Sequence, residues 1–391
     1  MKTYNNKILS IYFLYLFLGC IFYLNLHINE FPSKYVFTDW LINYEGGYVR
    51  RGLLGQVIFE ISNFLNFQIK STILFFQIII YSIYFLVFYL IFSEIKINFF
   101  WLLIIFSPIL FLYPLSELEA LGRKDIFVIS IFLIFSIINY RSLNILLLSF
   151  ISFFSLSSFI HEITIFYIFH YLFVIYIKNK FLINQKFNKK YYFFILMFIG
   201  ILLYLNLYQH NFVIIEDIVN SYNYEDFITT ESGSFSHINP SIDAVFLKTF
   251  NSINLVSILR YGFLFLLSIF PLIFFIKIKE KHEDKYFNFN NILLVIILLS
   301  IPLYLFIFDW GRVIYINYNF LVIIIILFFS LNLFDESYLK NKLKNLNNKL
   351  KIIIFIFVCL AFAPKILVTD DLASLPLYRS IIKILEISTV Y

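Results

Sequence analysis

The chain has 391 residues, of which 61% are hydrophobic, 22% aromatic and only 14% charged, and its net charge is +6. So few charged residues could not cover the outside of a soluble domain, so the composition excludes a soluble globular protein and predicts a polytopic membrane protein. The positive charge does not indicate a nucleic-acid partner, because the lysines cluster between apolar runs. Cys20 and Cys359 lie inside such runs, so no disulfide or zinc framework is expected.

The apolar runs are helical in length, about 16 to 24 residues each, and lack the short alternation of outer-membrane barrel strands. Lysine clusters between them mark cytoplasmic loops by the positive-inside rule. The sequence therefore predicts an all-α, polytopic transmembrane helix bundle of about eleven spans, with the N-terminus inside and the C-terminus outside, forming a single integral membrane domain over residues 1–391. The expected spans are residues 8–27, 71–92, 99–114, 126–140, two short spans within 145–177, and 191–208, 253–276, 291–308, 313–333 and 352–368.

The first external loop, residues 28–70, differs most from the apolar sequence around it. Its second half, Leu53 to Phe67, has the pattern of an amphipathic helix lying in the membrane interface. Ahead of that helix, a carboxylate, paired glycines and paired arginines crowd into a few turns of chain, namely Asp39, Gly46, Gly47, Arg50 and Arg51. Charge this dense beside a span indicates function. A loop that binds lipid headgroups is the alternative.

Three further polar groups lie at span ends that we expect on the outside. They are Arg123–Lys124–Asp125, His161–Glu162 and Asp309–Arg312. The stretch 145–177 is too long for one crossing, so two short spans would meet at His161–Glu162. A plain polar break and a plain ion pair are the alternative explanations of the second and third groups. The large external loop, residues 209–252, is acidic and has no clear helical period.

Arginines beside acids or glycines lie only on the expected external side, whereas lysines dominate the expected cytoplasmic loops. The arginine fork suits bidentate binding of phosphate, and glycines let backbone N–H groups approach it. A carboxylate could take the proton from an attacking sugar hydroxyl while arginines hold charge on a departing phosphate. We therefore expect Asp39, Asp125, His161 and Glu162 to be catalytic, and Gly46, Gly47, Arg50, Arg51, Arg123, Lys124, Asp309 and Arg312 to bind substrate or phosphate.

The sequence has no Walker A motif, dinucleotide-binding glycine motif, HExxH or GxSxG. Nucleotide-driven transport and zinc proteolysis therefore lack support. A divalent cation, Mg or Mn, bound by Asp39 and a second acid is an open alternative that no oxygen-ligand motif fixes.

An acid just after the first span, Asp39, together with an interfacial helix, many spans and one larger external loop, resembles the GT-C class of polyprenyl-linked glycosyltransferases. More narrowly, a very hydrophobic chain rich in Lys, Ile and Phe with external arginines is similar to the O-antigen and capsule repeat-unit polymerases, the Wzy class. The resemblance covers the whole chain in topology. It implies a GT-C-like fold with Asp39 as the catalytic acid, and it implies that Arg50, Arg51, Arg123 and Arg312 bind diphosphate or glycan.

The resulting expectation is a glycosyltransferase that polymerises or extends a cell-surface polysaccharide, such as O-antigen of lipopolysaccharide or capsule, from undecaprenyl-diphosphate-linked glycan. It would act on the outer face of the bacterial inner membrane. The alternatives are transfer of a single sugar from a polyprenyl monophosphate, a flippase of lipid-linked sugars, and an acyltransferase using His161–Glu162. Expected partners are the lipid-linked oligosaccharide, membrane lipids, and a chain-length regulator or other polysaccharide-assembly proteins.

Overall fold

The computed structural model describes residues 2–30, 34–186, 189–207, 214–222, 228–231, 233–235, 238, 242–279, 289–369 and 372–388. Most of these residues are helical and only two short strands occur among them, which confirms the prediction of an all-α fold. The helices are α1 (Lys2–Glu30), α2 (Tyr35–Thr38), α3 (Gly52–Leu65), α4 (Ile69–Glu94), α5 (Phe99–Ile105), α6 (Tyr113–Ser116), α7 (Asp125–Ile137), α8 (Leu143–Ile160), α9 (Ile168–Lys178), α10 (Lys189–Leu207), α11 (Ile215–Asn220), α12 (Ile242–Ser252), α13 (Leu255–Phe275), α14 (Phe289–Phe306), α15 (Trp310–Ser330), α16 (Glu336–Asn345), α17 (Asn348–Phe355) and α18 (Pro376–Ser388).

Six helices in the described part of the chain are long and apolar enough, by length and composition, to cross a membrane. They are Lys7–Glu30, Ile69–Glu94, Leu143–Ile160, Glu162–Ile183, Leu255–Phe275 and Trp310–Ser330. Shorter apolar helices cover Gly52–Leu65, Asp125–Ile137, Phe193–Leu205 and Leu294–Phe306. The structure thus supports a membrane protein, while the count of about eleven spans stays a prediction.

Two of the expected spans do not form one long helix. In the stretch 99–114, α5 ends at Ile105, because Pro108 lacks the N–H that a continuing helix would need. In the stretch 352–368, α17 passes into a π-helical turn, Ile356–Ala361. A two-stranded antiparallel pair follows, in which β1 (Phe362–Ala363) pairs with β2 (Ala373–Ser374).

The chain divides into two compact units. Unit 1 consists of Met1–Tyr23, Ser82–Leu121 and Asp243–Tyr391, and unit 2 consists of Leu24–Tyr81 and Gly122–Ile242. Each is built from separate stretches of sequence, and the division falls inside α1 and α4.

Unit 1 is organised on α15, whose residues from Trp310 to Phe328 are all buried. A helix that is apolar on every side belongs in a core. One polar group on it, Asn319, is paired, since its Oδ1 accepts a hydrogen bond of 2.7 Å from Tyr84. Elsewhere in the unit the Phe111 ring lies 4.9 Å from both Phe13 and Phe88, measured between centroids.

In unit 2, α8 packs against both α7 and α9. The Tyr171 ring meets Phe132 and Phe154 edge to face, with centroids 4.8 and 5.1 Å apart, a geometry that adds to the energy of burial. Lys178 closes the far end of α7 by donating to the carbonyls of Phe135 (3.1 Å) and Ile138 (2.5 Å). This ammonium group satisfies acceptors that the end of a helix leaves open.

Candidate functional site

The short segment after α1 places Tyr35 and Asp39 on one side of the chain. Tyr35 begins α2, and Asp39 begins a 3₁₀ turn, Asp39–Leu41, that follows without interruption. Four residues apart, two side chains on such a helical segment are neighbours. Asp39 is only 1% exposed, so its carboxylate depends on protein partners.

Arg51 is the residue that joins these side chains to the rest of the site. Its Nη1 donates to the Tyr35 hydroxyl and lies 3.5 Å from Asp39 Oδ1. Its Nε donates to Glu162 Oε1 at 2.8 Å, and Nη2 lies 2.5 Å from the same oxygen. One guanidinium therefore holds two acids that are far apart in sequence. The Arg51 backbone is left-handed, with φ of 65°, a conformation that costs free energy for a residue other than glycine.

The turn before α7 supplies the next three side chains. Gly122 has φ of +80°, and its carbonyl accepts hydrogen bonds from Trp40 Nε1 (2.5 Å) and Gln77 Nε2 (3.1 Å). These bonds fix the turn against the segment that carries Asp39. Its Arg123 guanidinium consequently stacks over the Tyr35 ring at 4.7 Å from the centroid.

Lys124 is fully buried in this turn, and its Nζ donates to the Arg51 carbonyl at 2.8 Å. Burial lowers the pKa of Lys124 to about 8 from an ordinary 10.5, against the opposing effect of Asp39. Burial alone would raise the pKa of Asp39, but the charges of Lys124 and Arg51 lower it below its ordinary value. Asp39 therefore stays ionised, and Lys124 loses its proton at a moderately alkaline pH.

The junction between α8 and α9 brings in the last two side chains. The helix ends at Ile160, and His161 is extended, with its ring nitrogen accepting from the Ile163 amide. His161 Nε2 lies 3.5 Å from Asp125 Oδ1, and Nδ1 lies 3.3 Å from Glu162 Oε2. The imidazole thus lies between Asp125, at the start of α7, and Glu162, which binds Arg51.

We call these residues the charged cluster. Its members are Tyr35, Asp39, Arg50, Arg51, Arg123, Lys124, Asp125, His161 and Glu162. All lie in unit 2, and the four cationic side chains outnumber the three acids with His161 neutral. Among the acids, the Glu162 side chain is the most accessible, at 18% against 2% for Asp39 and 4% for Asp125.

A small cavity opens beside the two paired arginines. Arg50, Arg51 and Ser234 line it, together with the apolar side chains of Ile42, Val49 and Ile238. Its volume is about 10 Å³, which is room for about one water molecule. Arg50 makes no hydrogen bond or ion pair with the described residues. Its strongest electrostatic interaction with an acid is with Glu162.

Part of the stretch 209–252, which the sequence predicts to be a large external loop, packs against the segment that carries Asp39. The Ser234 amide donates to Thr38 Oγ1 at 2.8 Å, and Ser234 Oγ donates to the Tyr35 carbonyl at 3.1 Å. Tyr222 donates to the Leu41 carbonyl at 2.9 Å, and it is 1% exposed. The described parts of residues 209–252 therefore include well-packed structure, and the remainder lies outside the described residues.

Other expected site residues have a packing role or belong to unit 1. Gly46 faces the backbone of Ile214, whose amide donates to the Gly46 carbonyl at 2.9 Å, so a Cβ there would collide with the Ile214 carbonyl. Gly47 occupies a turn with φ of 105°. Asp309 and Arg312 belong to unit 1, where Arg312 Nη1 lies 2.9 Å from Asp309 Oδ2.

No group of three or more His, Cys, Asp or Glu side chains within the described ranges could hold a metal ion. Each acid of the charged cluster has a nitrogen-bearing side chain as a neighbour. Arg51 lies beside Asp39 and Glu162, and His161 lies beside Asp125 and Glu162. Arg51 thus contacts Asp39 and Glu162. Asp39 is the acid considered from the sequence, with a second acid, as a ligand of a divalent cation.

Sequence reasoning missed Tyr35, Thr38 and Ser234. The spacing of Tyr35 and Thr38 from Asp39, four and one residues, is a signal that could have drawn attention to the first two. Ser234 has no such signal, because its contacts with Thr38 and Tyr35 are tertiary.

Comparison of the chain with protein-family models, with curated proteins and with solved structures finds no match.

Proposed function

We propose that the charged cluster transfers a glycosyl group from a lipid-linked diphosphate, and that the protein thereby polymerises or extends a cell-surface polysaccharide. The observation that carries the proposal is the position of Arg51, which binds Asp39 and Glu162 beside a second arginine and a buried lysine. Excess positive charge beside ionised carboxylates suits a reaction in which a phosphate leaves and a hydroxyl attacks.

In this reaction the bond between the sugar C1 and the phosphate oxygen breaks, and a bond forms between C1 and the acceptor hydroxyl oxygen. The electron pair of the broken bond stays on the phosphate, where Arg50 and Arg51 would stabilise it. The hydroxyl proton passes to a carboxylate. Glu162 is the best proton acceptor by geometry, because it is the most accessible acid of the cluster.

Asp39 then takes a different part from the one that the GT-C resemblance suggests. Its carboxylate is only 1% exposed and is held by Arg51, so an attacking hydroxyl would reach Glu162 more readily. In our proposal Asp39 orients Arg51 and balances the charge of Lys124. Asp125 and His161 continue the same network, and His161 would carry the proton onward from Glu162.

A lipid carrier fits the position of the cluster at the ends of apolar helices. Asp125 begins α7, and Glu162 begins one of the six helices long enough to cross a membrane. We place the reaction at the outer face of a bacterial inner membrane, where positive-inside topology puts these helix ends. Lipid-linked oligosaccharide and polysaccharide-assembly proteins are the proposed partners.

Movement of lipid-linked sugars across the membrane is the second candidate. It is favoured by Asn317 and Asn319, polar residues inside the apolar helix α15, because polar groups within spans often line substrate paths. Asn319 is hydrogen-bonded to Tyr84 and to the Tyr315 carbonyl, and Asn317 to Tyr304 at 3.4 Å. These pairings stabilise unit 1, so transport ranks below transfer.

The test is the chain-length ladder of the surface polysaccharide in cells that carry Glu162→Gln. The matched control is Glu336→Gln, which removes the same charge from an exposed ion pair with Lys340. We expect Glu162→Gln to reduce the ladder to a single repeat unit on its lipid while the control keeps long chains. Long chains in the Glu162→Gln cells would contradict the proposal. Loss of all glycan, including the first unit, would favour single-sugar transfer or export.

A further inference from the structure

We propose that the cavity between Arg50, Arg51 and Ser234 is a subsite for a phosphate group, and that the turn at Ser234 must withdraw to admit it. The inference rests on the proposed function for the identity of the natural ligand, a diphosphate-linked lipid. It adds a defined binding place and two residues, Thr38 and Ser234, that the proposed reaction does not use.

The charge of Arg50 is the first argument for an anionic ligand. Arg50 is half-buried, it lines the cavity, and it forms no hydrogen bond or ion pair with the described residues. Burial lowers its pKa, which shows that the surroundings disfavour the charged form. Holding a guanidinium in a half-buried position without a direct ion-pair partner among the described residues costs free energy that a bound anion would offset.

The chemistry of the cavity wall suits a phosphate group. Two guanidinium groups on successive residues present several donors. Phosphate, like carboxylate, accepts bidentate hydrogen bonds from arginine, and the lipid-linked diphosphate of the proposed function would supply it. Ile42, Val49 and Ile238 give the cavity an apolar lining, where few water molecules compete for such bonds.

The size of the cavity is the argument for movement. A volume of about 10 Å³ holds about one water molecule, which is smaller than a phosphate group. On the arginine side, Arg51 is fixed because its side chain is bound by Glu162 and its backbone carbonyl by Lys124. The Ser234 side depends on the Thr38 and Tyr35 hydrogen bonds of one turn, so this is the wall that gives way.

Gly233 shows how closely this turn fits. A Cβ at Gly233 would collide with Thr38 Oγ1 and lie 2.8 Å from the Tyr35 amide nitrogen, and its φ of +42° also favours glycine. The observed position of the Ser234 turn therefore depends on the close packing of Gly233, which has no side chain, against α2. Breaking a few hydrogen bonds releases it.

The experiment measures binding of inorganic pyrophosphate to the full-length protein in phosphatidylcholine nanodiscs by calorimetry. In the double variant T38C/S234C, the replaced side-chain oxygens lie 3.2 Å apart, so an oxidant should close a disulfide there. We expect the oxidised protein to lose pyrophosphate binding and the same sample to regain it after reduction. Equal affinity in the two redox states would refute the movement of the Ser234 turn. The single variants T38C and S234C should not respond to redox state.

The second variant tests the subsite itself. Arg50→Gln should weaken pyrophosphate binding about tenfold or more, since it removes a charged donor from the cavity. Arg141→Gln, at an exposed arginine of the same unit, is the matched control and should bind as the parent protein does. Unchanged binding by Arg50→Gln overturns the subsite, even if the polysaccharide ladder responds to Glu162→Gln. Loss of binding without any effect on the ladder would instead leave the subsite standing and remove the proposed function.

The source of the phosphate is settled by two further titrations. A polyprenyl diphosphate added to phosphatidylcholine discs should displace pyrophosphate, and Arg50→Gln should abolish the competition. If the cavity serves an ordinary lipid headgroup, discs that contain phosphatidylglycerol should show the competition without added polyprenyl lipid. Competition from neither lipid would overturn a lipid-phosphate subsite.

Discussion

Lys124 donates a hydrogen bond of 2.8 Å to the backbone carbonyl of Arg51. Arg51, which binds Asp39 and Glu162, is therefore also held by the turn before α7. The bond helps to hold the left-handed backbone of Arg51, a conformation that costs free energy and persists only where surrounding contacts stabilise it. It also links the chemistry of the cluster to the protonation of one buried amine.

Replacing Lys124 by Met should leave the Arg51 backbone without its donor. A hydrogen bond that involves a charged group contributes about 1.5–3 kcal/mol, so we expect transfer activity to fall about 10- to 100-fold. Single-turnover transfer of labelled glycan by the purified protein measures the change. Lys340→Met, at an exposed pair, is the control and should keep full activity. Activity within twofold of the parent would show that the bond is incidental.

The pH profile should depend on Lys124, whose pKa burial lowers to about 8. Above this pH the amine is neutral, positive charge is lost beside Asp39 and Arg51, and affinity for a phosphate ligand should fall. The stability effect has the opposite sign. Because the folded-state pKa is below the ordinary 10.5, the unfolded chain binds more protons between the two values, so this group's contribution to stability rises with pH there.

The measurement is pyrophosphate affinity and chemical denaturation followed across this range of pH. We expect the alkaline loss of pyrophosphate affinity to disappear in Lys124→Met. This variant should bind pyrophosphate weakly, with the same affinity across the pH range. If the parent and the variant fall together, another group is responsible.

Arg51→Lys tests whether the fork or only the charge matters. Lysine keeps the charge but cannot reach Tyr35, Asp39 and Glu162 together, so at least one acid loses its partner. Breaking a largely buried ion pair costs about 3 kcal/mol or more, which should appear as a lower midpoint of unfolding and as lost transfer. Arg141→Lys, at an exposed arginine, should change neither.

Gly122→Ala should destabilise the turn that presents Arg123, Lys124 and Asp125. Its φ is +80°, and an added Cβ would lie 2.9 Å from Val36 Cγ1 and 3.0 Å from Gln77 Nε2. We expect a loss of about 1–3 kcal/mol in the free energy of unfolding. Gly200→Ala, in the exposed part of α10 with no atom within 4 Å of its Cβ, should be neutral or stabilising by up to about 1 kcal/mol. Equal effects of the two changes would contradict the structure of the turn.

The helical class could be predicted from composition because an apolar chain in a membrane must satisfy its backbone internally. The break at His161–Glu162 was also predictable, since one crossing cannot hold so many residues. The early end of α5 followed from Pro108. These are local properties, and each depends on a few neighbouring residues.

The pairing of Asp39 with Glu162 through Arg51 could not be predicted, because it is a tertiary contact between segments with no spacing rule to join them. The same reason explains Gly46, whose missing side chain serves contact with Ile214. It also explains Tyr222 and Ser234, which pack closely on the Asp39 segment. The sequence showed no clear helical period in their stretch, residues 209–252, and that expectation was wrong for its described parts, which contain α11 and α12.

The length of α7 has a consequence for depth. Its 13 residues rise about 20 Å, whereas the hydrocarbon layer of a bilayer is about 30 Å thick. Lys178 closes one end of the helix and Asp125 begins the other. If Lys178 lies at the cytoplasmic edge, as the positive-inside rule predicts, the start of α7 would lie about 10 Å beneath the opposite headgroup layer. The phosphate of a carrier lipid could then reach the charged cluster by a small displacement toward the bilayer centre, while its hydrocarbon chains stay in the membrane.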